Sequence, residues 1–145
     1  MTEPDDRVER ASRLVPATAE EIFELLADPR QHKVIDGSGT VNDPVDAPDR
    51  LSLGATFQME MRMGLPYRMT NRVVEFDEPT LIAWQHMGHH TWRYRLQPVE
   101  GGTEVTEEFD WGTSRAPWAL RAMRAPQRSA KSLEATLDRL VEHFS

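Results

Sequence analysis

The clearest pattern in the chain is an amphipathic repeat near its C-terminal end. Over residues 127–144, apolar side chains recur every three or four positions and charged side chains occupy the positions between them, which predicts a helix with one apolar stripe. The stripe consists of Ala130, Leu133, Leu137, Leu140, Val141 and Phe144. Because such a helix needs an apolar surface to cover its stripe, we expect the strand-like runs between residues 55 and 111 to pack against it.

The N-terminal part of the chain predicts one strand and two short helices. Residues 7–15 alternate weakly between apolar and charged positions, which indicates an edge strand. Thr18 with Glu21 three residues later forms a capping box and predicts a helix. The buried face of this helix is expected to contain Ile22, Leu25 and Leu26. Residues 28–33 begin with Asp-Pro, which is typical of a second short helix, and residues 36–50 predict a long connection with a short strand.

Turn residues predict how the later strands pair. If Gly101 and Gly102 form a two-residue hairpin loop, apolar partners meet on one face and opposite charges meet on the other. The apolar-face pairs are Trp92 with Trp111, Tyr94 with Phe109 and Leu96 with Glu107, and the charged pairs are Arg93 with Asp110 and Arg95 with Glu108. A turn near Gly88 similarly places His86 opposite His90, and Trp84 opposite Trp92. All the turns select one inner face, so we expect a single antiparallel sheet, with a bulge most expected near Glu75.

The inner face carries many methionine and tryptophan side chains, which suits a cavity for an irregular apolar ligand. Plain core packing also explains these residues, and a satisfied cross-strand hydrogen bond also explains Asn71 and His86. The candidate ligand-binding residues are Met59, Met61, Tyr67, Asn71, Trp84, His86, His90, Trp92, Tyr94 and Trp111.

Catalytic and metal-binding motifs are not found in the sequence. His86 and His90 have no third ligand in their row, so we expect no metal, and no residue implies a cofactor. In the predicted register Glu107 lies three rows from His86, about 20 Å along the strands, which rules out direct proton transfer between them. We expect Glu107 to lie at a strand end near water, and we assign no catalytic residue.

Composition narrows the classes of partner. The chain has 145 residues, which suits a single domain over residues 7–144, and it contains no cysteine. Its net charge of −7 argues against nucleic acid as a partner. Residues 1–6 are expected to be a disordered tail. Because no signal peptide or membrane-spanning stretch is found, we expect no membrane insertion and a cytoplasmic location. Arginines at 115–128 suggest either a solvated helix face or a docking patch, and a homodimer is left open.

Four segments resemble a known superfamily: VPATAEEIFELLADP at 15–29, TNRVVEF at 70–76, LIAW at 81–84 and GTEVT at 102–106. Together they resemble the START-like, or SRPBCC, superfamily and, within it, the bacterial polyketide cyclase/dehydrase-like proteins. The resemblance implies an α+β helix-grip fold. In that fold a curved antiparallel sheet of six or seven strands wraps around a long C-terminal helix, and two short helices follow the first strand. It also implies a cavity for hydrophobic small molecules, but no catalytic residue can be transferred.

Three functions are compatible with this pattern. The first is binding of a hydrophobic or aromatic small molecule, lipid- or polyketide-like, between the sheet and the C-terminal helix. The second is a cyclase, aromatase or dehydratase in which Asn71 and His86 orient and protonate a carbonyl. The third is a protein-interaction module that uses the arginines at 115–128.

Overall fold

Seven antiparallel strands form one sheet, and a long C-terminal helix lies across it in the computed structural model of the chain. The structure describes residues 7–37, 41–63, 65–86 and 89–145. The strands are β1 (Val8–Val15), β2 (Val41–Asp46), β3 (Thr56–Met63), β4 (Leu65–Asp77), β5 (Leu81–Gln85), β6 (Thr91–Val99) and β7 (Gly102–Asp110). The helices are α1 (Ala19–Leu26), α2 (His32–Ile35), α3 (Pro117–Ala122) and α4 (Ala125–Phe144), with a short 3-10 turn at Pro29–Gln31. This is the predicted helix-grip fold.

The strand order β1-β7-β6-β5-β4-β3-β2 makes β1 an edge strand, as predicted, and α4 packs chiefly against β1 and β7. Residues 1–6, expected to be a disordered tail, lie outside the described residues. The short strand expected near residues 40–42 is observed as β2, which is longer and extends to Asp46.

The first helix begins as its sequence predicts. The Thr18 hydroxyl accepts a hydrogen bond from the Glu21 amide at 3.1 Å, and the Glu21 carboxylate accepts one from the Thr18 amide at 3.1 Å. These reciprocal bonds satisfy two amides that have no partner within the helix. The predicted face is buried, and Phe23 is buried with it.

The C-terminal helix begins two residues earlier than predicted. Pro126 lies in the first turn of α4, where a missing N–H breaks no helical hydrogen bond, so it starts the helix rather than kinking it. The buried side chains of α4 are Ala125, Pro126, Ser129, Leu133, Thr136, Leu137 and Leu140. Two of these, Ser129 and Thr136, are polar and were not part of the predicted stripe.

Strand pairing confirms the inner face but corrects one register. Trp84 pairs with Trp92 and Ile82 with Tyr94, as predicted. In the last hairpin, however, Trp92 pairs with Phe109, Tyr94 with Glu107 and Leu96 with Val105, so the predicted pairing was wrong by two residues.

The glycine pair explains this error. Val99 pairs with Gly102, so Glu100 and Gly101 form the loop and Gly101 takes its positive φ of 89°. Gly102 belongs to β7, where a Cβ would lie 2.2 Å from the Val15 carbonyl oxygen. The second glycine is therefore required both by its own positive φ of 150° and by its close contact with β1. Because the slip is two residues, each side chain stays on its predicted face.

A register shift also lies between Val73 and Glu75 in β4, where the bulge was expected. Beyond it, Phe76 pairs with Ile82, and its ring packs edge-on against Phe23 of α1 at 5.3 Å between centroids. The bulge turns an apolar side chain that lay on the outer parity toward the core.

The outer face of the sheet carries a network of ion pairs. Arg93 is only 8% exposed, and its guanidinium lies 2.7 Å from a Glu75 oxygen and 2.8 Å from a Glu108 oxygen. The charge contacts expected from the sequence are still present as diagonal contacts, with Arg93 3.6 Å from Asp110 and Arg95 3.3 Å from Glu108. Each charge in this network therefore has an opposite charge beside it.

Candidate functional site

A cavity of about 180 Å³ lies between the inner face of the sheet, α2 and α4. The sheet contributes aromatic and methionine side chains together with polar Asn71 and Glu107, and polar His86 follows β5 directly. The helices and Asp36 contribute further polar side chains. Its lining residues are His32, Ile35, Asp36, Val41, Phe57, Met59, Met61, Asn71, Trp84, His86, Trp92, Tyr94, Glu107, Ser132 and Thr136.

The aromatic wall centres on Trp84. The imidazole of His32 stacks on it with centroids 4.7 Å apart and an angle of 17° between the planes, while Phe57 and Tyr94 approach it at 5.8 and 5.6 Å. The Nε2 of His32 lies 2.8 Å from the Leu26 carbonyl oxygen and donates a hydrogen bond to it. Burial lowers the pKa of His32, so this ring is neutral and is held in place from both sides.

His86 and His90 form a neutral pair at one end of the site. Their ring centroids are 4.9 Å apart, as the predicted turn requires, and neither Nδ1 atom has a hydrogen-bond partner. Burial and the neighbouring His90 lower the pKa of His86 to about 3, and burial lowers the pKa of His90 to about 4. Since these shifts favour uncharged rings near neutral pH, His86 is poorly suited to the protonation of a carbonyl in the sequence-based hypothesis.

Glu107 lies inside the cavity, contrary to the prediction that it sits at a strand end near water. It is 3% exposed, it pairs with Tyr94 across β6 and β7, and its Oε1 has no hydrogen-bond partner. Burial, together with the charge of Asp36, raises the pKa of Glu107 well above its usual range, although the Tyr94 hydroxyl donates a hydrogen bond to the carboxyl. Burial without a cation among the described residues of the cavity wall therefore favours the neutral form of Glu107.

The corrected register also changes the position of Glu107 along the sheet. It lies one row from Trp84 and Trp92 and two rows from His86, or about 13 Å along the strands, where about 20 Å was predicted. Direct proton transfer between His86 and Glu107 remains excluded at this separation. The two side chains instead face the cavity from opposite ends.

Two further polar atoms in the cavity wall have no partner. The amide of Asn71, 2% exposed, donates from Nδ2 to the Met69 carbonyl at 3.4 Å, but its Oδ1 is unpaired. The Nε1 of Trp92 is also unpaired. A satisfied cross-strand hydrogen bond therefore does not account for Asn71. Buried polar atoms normally have partners in the protein or in ordered water, so these atoms leave free hydrogen-bonding capacity on the cavity wall.

The model of one protein family matches residues 8–145, and its description is polyketide cyclase/dehydrase and lipid transport. The chain belongs to this family.

One relative and two solved structures show what else the chain is similar to. The uncharacterized protein Rv0088 of Mycobacterium tuberculosis is 37% identical over 137 residues, which cover 90% of the chain and 61% of the relative. The chain thus spans about three-fifths of the length of this relative. A structure from Rhodobacter sphaeroides is 20% identical with a TM-score of 0.72, covering 94% of the chain and 90% of that structure. An AHSA1-like protein from Aeromonas hydrophila is 18% identical with a TM-score of 0.65, covering 94% and 92%. These structures share the fold.

Seven of the ten predicted ligand-binding residues line the cavity of this family member: Met59, Met61, Asn71, Trp84, His86, Trp92 and Tyr94. Tyr67 packs beside the core opposite Met61, and His90 lies behind His86. Trp111 packs with Phe109 and Leu133 outside the cavity lining, under the guanidinium of Arg121 at 5.0 Å from its ring. The predicted row of three tryptophans is therefore wrong at Trp111, since Phe109 takes that place.

Sequence reasoning placed the cavity against the C-terminal helix but did not identify the polar residues that line it from α2, Asp36 and α4. His32, Asp36, Ser132 and Thr136 face the cavity from these elements. Thr136 could have been found, because it falls at helical spacing from Leu133 and Leu140. The short helix α2 has no periodic pattern that orients it, so His32 and Asp36 gave no signal.

Two general findings limit the kinds of site that the described residues form. None of the described helices is long and apolar enough to cross a membrane. Within the described ranges, no group of three or more histidine, aspartate or glutamate side chains is placed to hold a metal ion.

Proposed function

We propose that the cavity binds a compact hydrophobic molecule that contains one or two rings. The observation that carries this proposal is a cavity of about 180 Å³ with aromatic walls and unpaired polar atoms at both ends. A dry apolar cavity of about 150 Å³ is large enough to hold benzene. A single ring with a short chain therefore matches this volume, whereas a long lipid chain exceeds it. The family, which includes polyketide and lipid-related proteins, is consistent with such a ligand.

Core packing is the competing explanation for the methionine and tryptophan side chains. A cavity that serves packing alone is expected to be apolar, because an unpaired buried polar atom costs about 1–3 kcal/mol. Asn71, Trp92 and Glu107 each leave such an atom on the wall of this cavity. A ligand with both donors and acceptors would supply the missing partners, and this favours binding over packing.

Tryptophan emission tests the proposal directly. The chain has four tryptophans, of which Trp84 and Trp92 line the cavity and Trp111 and Trp118 do not. In a Trp111→Phe, Trp118→Phe background the remaining emission comes from the cavity wall. We expect saturable changes with small aromatic compounds such as indole or 2-phenylethanol, and weaker responses to long-chain fatty acids.

A matched pair on α4 locates the binding site. Ser132 lines the cavity and Lys131 is exposed, so Ser132→Phe should abolish the response whereas Lys131→Phe should preserve it. If both variants respond like the parent, the ligand binds elsewhere. If no aromatic compound changes the emission of the parent at millimolar concentration, the binding proposal is wrong.

A second candidate function is an enzyme of the cyclase or dehydratase type, and the buried Glu107 favours it. A carboxylic acid that stays protonated near neutral pH can act as a general acid. In loss of water from a β-hydroxy ketone, Glu107 would give its proton to the departing hydroxyl as the C–O bond breaks. Water would take the proton from the carbon beside the carbonyl, and solvent would reprotonate the carboxylate. Tyr94 would hold the carboxyl in place through its hydrogen bond.

This alternative is tested with 4-hydroxy-4-phenylbutan-2-one, whose dehydrated product has a conjugated absorption band. We expect Glu107→Gln to bind the ketone but to lose turnover, because the amide cannot supply an acidic proton. Turnover that is equal in Glu107→Gln and the parent would exclude this role, and a parent without turnover on such ketones favours a binding protein.

A further inference from the structure

We propose that the cavity selects ligands that carry a protonated amine, with Glu107 as the counter-ion and the aromatic wall as the second contact. This inference rests on the binding proposal and specifies the chemical class of the ligand. It follows from the charges that line the cavity, from the unpaired acceptors and from the aromatic rings beside Glu107.

The charged lining is one-sided. Two carboxyl side chains, Asp36 and Glu107, line the cavity, and among the described residues of its wall there is no lysine or arginine. The nearby Arg93 lies on the opposite face of the sheet, where Glu75 and Glu108 hold it at 2.7 and 2.8 Å. A carboxylate or phosphate ligand would therefore enter the cavity without a counter-ion, which is strongly unfavourable in a buried site.

The unpaired atoms of the cavity wall also favour a ligand that donates hydrogen bonds. The Oε1 of Glu107 and the Oδ1 of Asn71 are hydrogen-bond acceptors in side chains that are at least 97% buried. Among the unpaired atoms of the wall, the Nε1 of Trp92 is an obligatory donor. An ammonium group carries three N–H donors and no acceptor, so it complements Glu107 better than a hydroxyl does.

Aromatic side chains surround the carboxyl end of the cavity. Tyr94 is the direct cross-strand partner of Glu107, and Trp84 lies 5.6 Å from the Tyr94 ring. Trp92 lines the same wall one row away. A cation held over such rings gains about 0.5–2 kcal/mol from the ring quadrupoles, and the gain is largest where water is excluded. Neutral and anionic groups do not receive this stabilisation.

Binding of an amine should therefore displace a proton. The titratable groups that face Glu107 are Tyr94 on β6 and Asp36 after α2, with His32 and His86 farther along the cavity. The other elements contribute uncharged residues, which are Ala11 on β1 and Ser132 and Thr136 on α4. None of these supplies a positive charge near neutral pH, so the empty cavity favours the protonated form of Glu107. An ammonium ion makes the carboxylate the favoured form, so amine affinity should rise with pH until Glu107 ionises without ligand.

The test uses three ligands with the same ring and nearly the same length: 2-phenylethylamine, 2-phenylethanol and phenylacetate. At pH 8 we expect calorimetry or ligand-observed NMR to show the amine binding at least tenfold more tightly than the alcohol, with phenylacetate weakest. Alcohol binding at least as tight as amine binding, or measurable phenylacetate binding, would overturn the amine inference and leave the binding proposal standing. Failure of every aromatic compound would overturn both.

Proton release provides a readout that does not depend on a mutant. Calorimetry of the amine at pH 6 in two buffers with different ionisation enthalpies should show about one proton released per ligand, whereas the alcohol should release none. In Glu107→Gln the preference for the amine and the proton release should both disappear while the alcohol still binds. Glu104→Gln, which alters an exposed carboxylate on the same strand, should behave like the parent. Amine binding without proton release would contradict the assignment of Glu107 as the counter-ion.

Discussion

His86 should make the protein sensitive to acid, and Phe at this position should remove part of that sensitivity. The pKa of this histidine falls from 6.5 to about 3 on folding, because burial and the adjacent His90 disfavour its charged form. Between these values the unfolded chain binds a proton that the folded protein does not bind. Stability contributed by the neutral ring is therefore present above pH 6.5 and is lost as the pH falls toward 3.

The magnitude follows from the size of this window. A pH of 5 lies about 1.5 units below the pKa of His86 in the unfolded chain, so protonation of His86 stabilises the unfolded state there. At about 1.4 kcal/mol per pH unit, this stabilisation amounts to about 2 kcal/mol. This value does not depend on the folded pKa as long as that pKa lies well below 5. Between pH 8 and pH 5, the parent should therefore lose about 2 kcal/mol more unfolding free energy than His86→Phe.

Urea denaturation at the two pH values measures the difference. With a slope of about 2 kcal/mol/M, the urea midpoint of the parent should fall by about 1 M more than that of His86→Phe. His143→Phe is the control, because it removes an exposed histidine on the last turn of α4 and leaves the buried His86 in place. The reasoning is refuted if His86→Phe and the parent lose the same stability between pH 8 and pH 5.

Two further predictions concern the sheet. Arg93→Met should lower the free energy of unfolding by about 3–5 kcal/mol, because it leaves Glu108 buried without its closest cation. Arg95 is more exposed, so Arg95→Met should lower the same free energy by less than about 1 kcal/mol in the same denaturation assay. Gly102→Ala should destabilise by about 2–5 kcal/mol, because backbone strain at its φ of 150° adds to the overlap of its Cβ with the Val15 carbonyl oxygen. Gly54→Ala, with a φ of 83° and no atom within 4 Å of the added Cβ, should cost only its backbone strain of about 1–2 kcal/mol. Equal stability losses within either pair would contradict the structural reason given for it.

Which face of the sheet each residue occupies could be predicted because the period of a strand is two. Asn71, Trp84 and Tyr94 all point inward in the structure, even though the last hairpin was shifted in the prediction. A shift of two residues preserves the face and moves each partner by about 6.6 Å along the strand. The fold and the apolar wall depend on the face, so both were predicted correctly.

The position of Glu107 along the strand could not be predicted in the same way. It depends on which two residues form the last turn, and two adjacent glycines have two different roles there. Both glycines have a positive φ, but only Gly102 also makes room for the Val15 carbonyl of a strand nearly ninety positions earlier in the chain. That contact is tertiary and leaves no local signal. The same limit applies to His32 and Asp36, because the orientation of α2 is set by what it packs against.

Glu107 and Glu108 show why the unpaired carboxyl is better explained by function than by folding. The two residues are adjacent on β7 and point to opposite faces of the sheet, and both are at least 95% buried. Burial favours the neutral form of each. At Glu108 the hydrogen bond from Arg93 and the charges of Arg95 and Arg10 outweigh it, so the pKa is lowered.

Among the residues that the structure describes, no cation lies beside Glu107, so burial and the charge of Asp36 raise its pKa instead. A leucine or methionine at this position would cover the helix and sheet without leaving an unpaired oxygen, and apolar replacement of buried polar groups is often neutral or stabilising. The fold therefore gains nothing from the carboxyl. A ligand that brings the missing positive charge would give Glu107 the partner that Arg93 gives Glu108 on the other face.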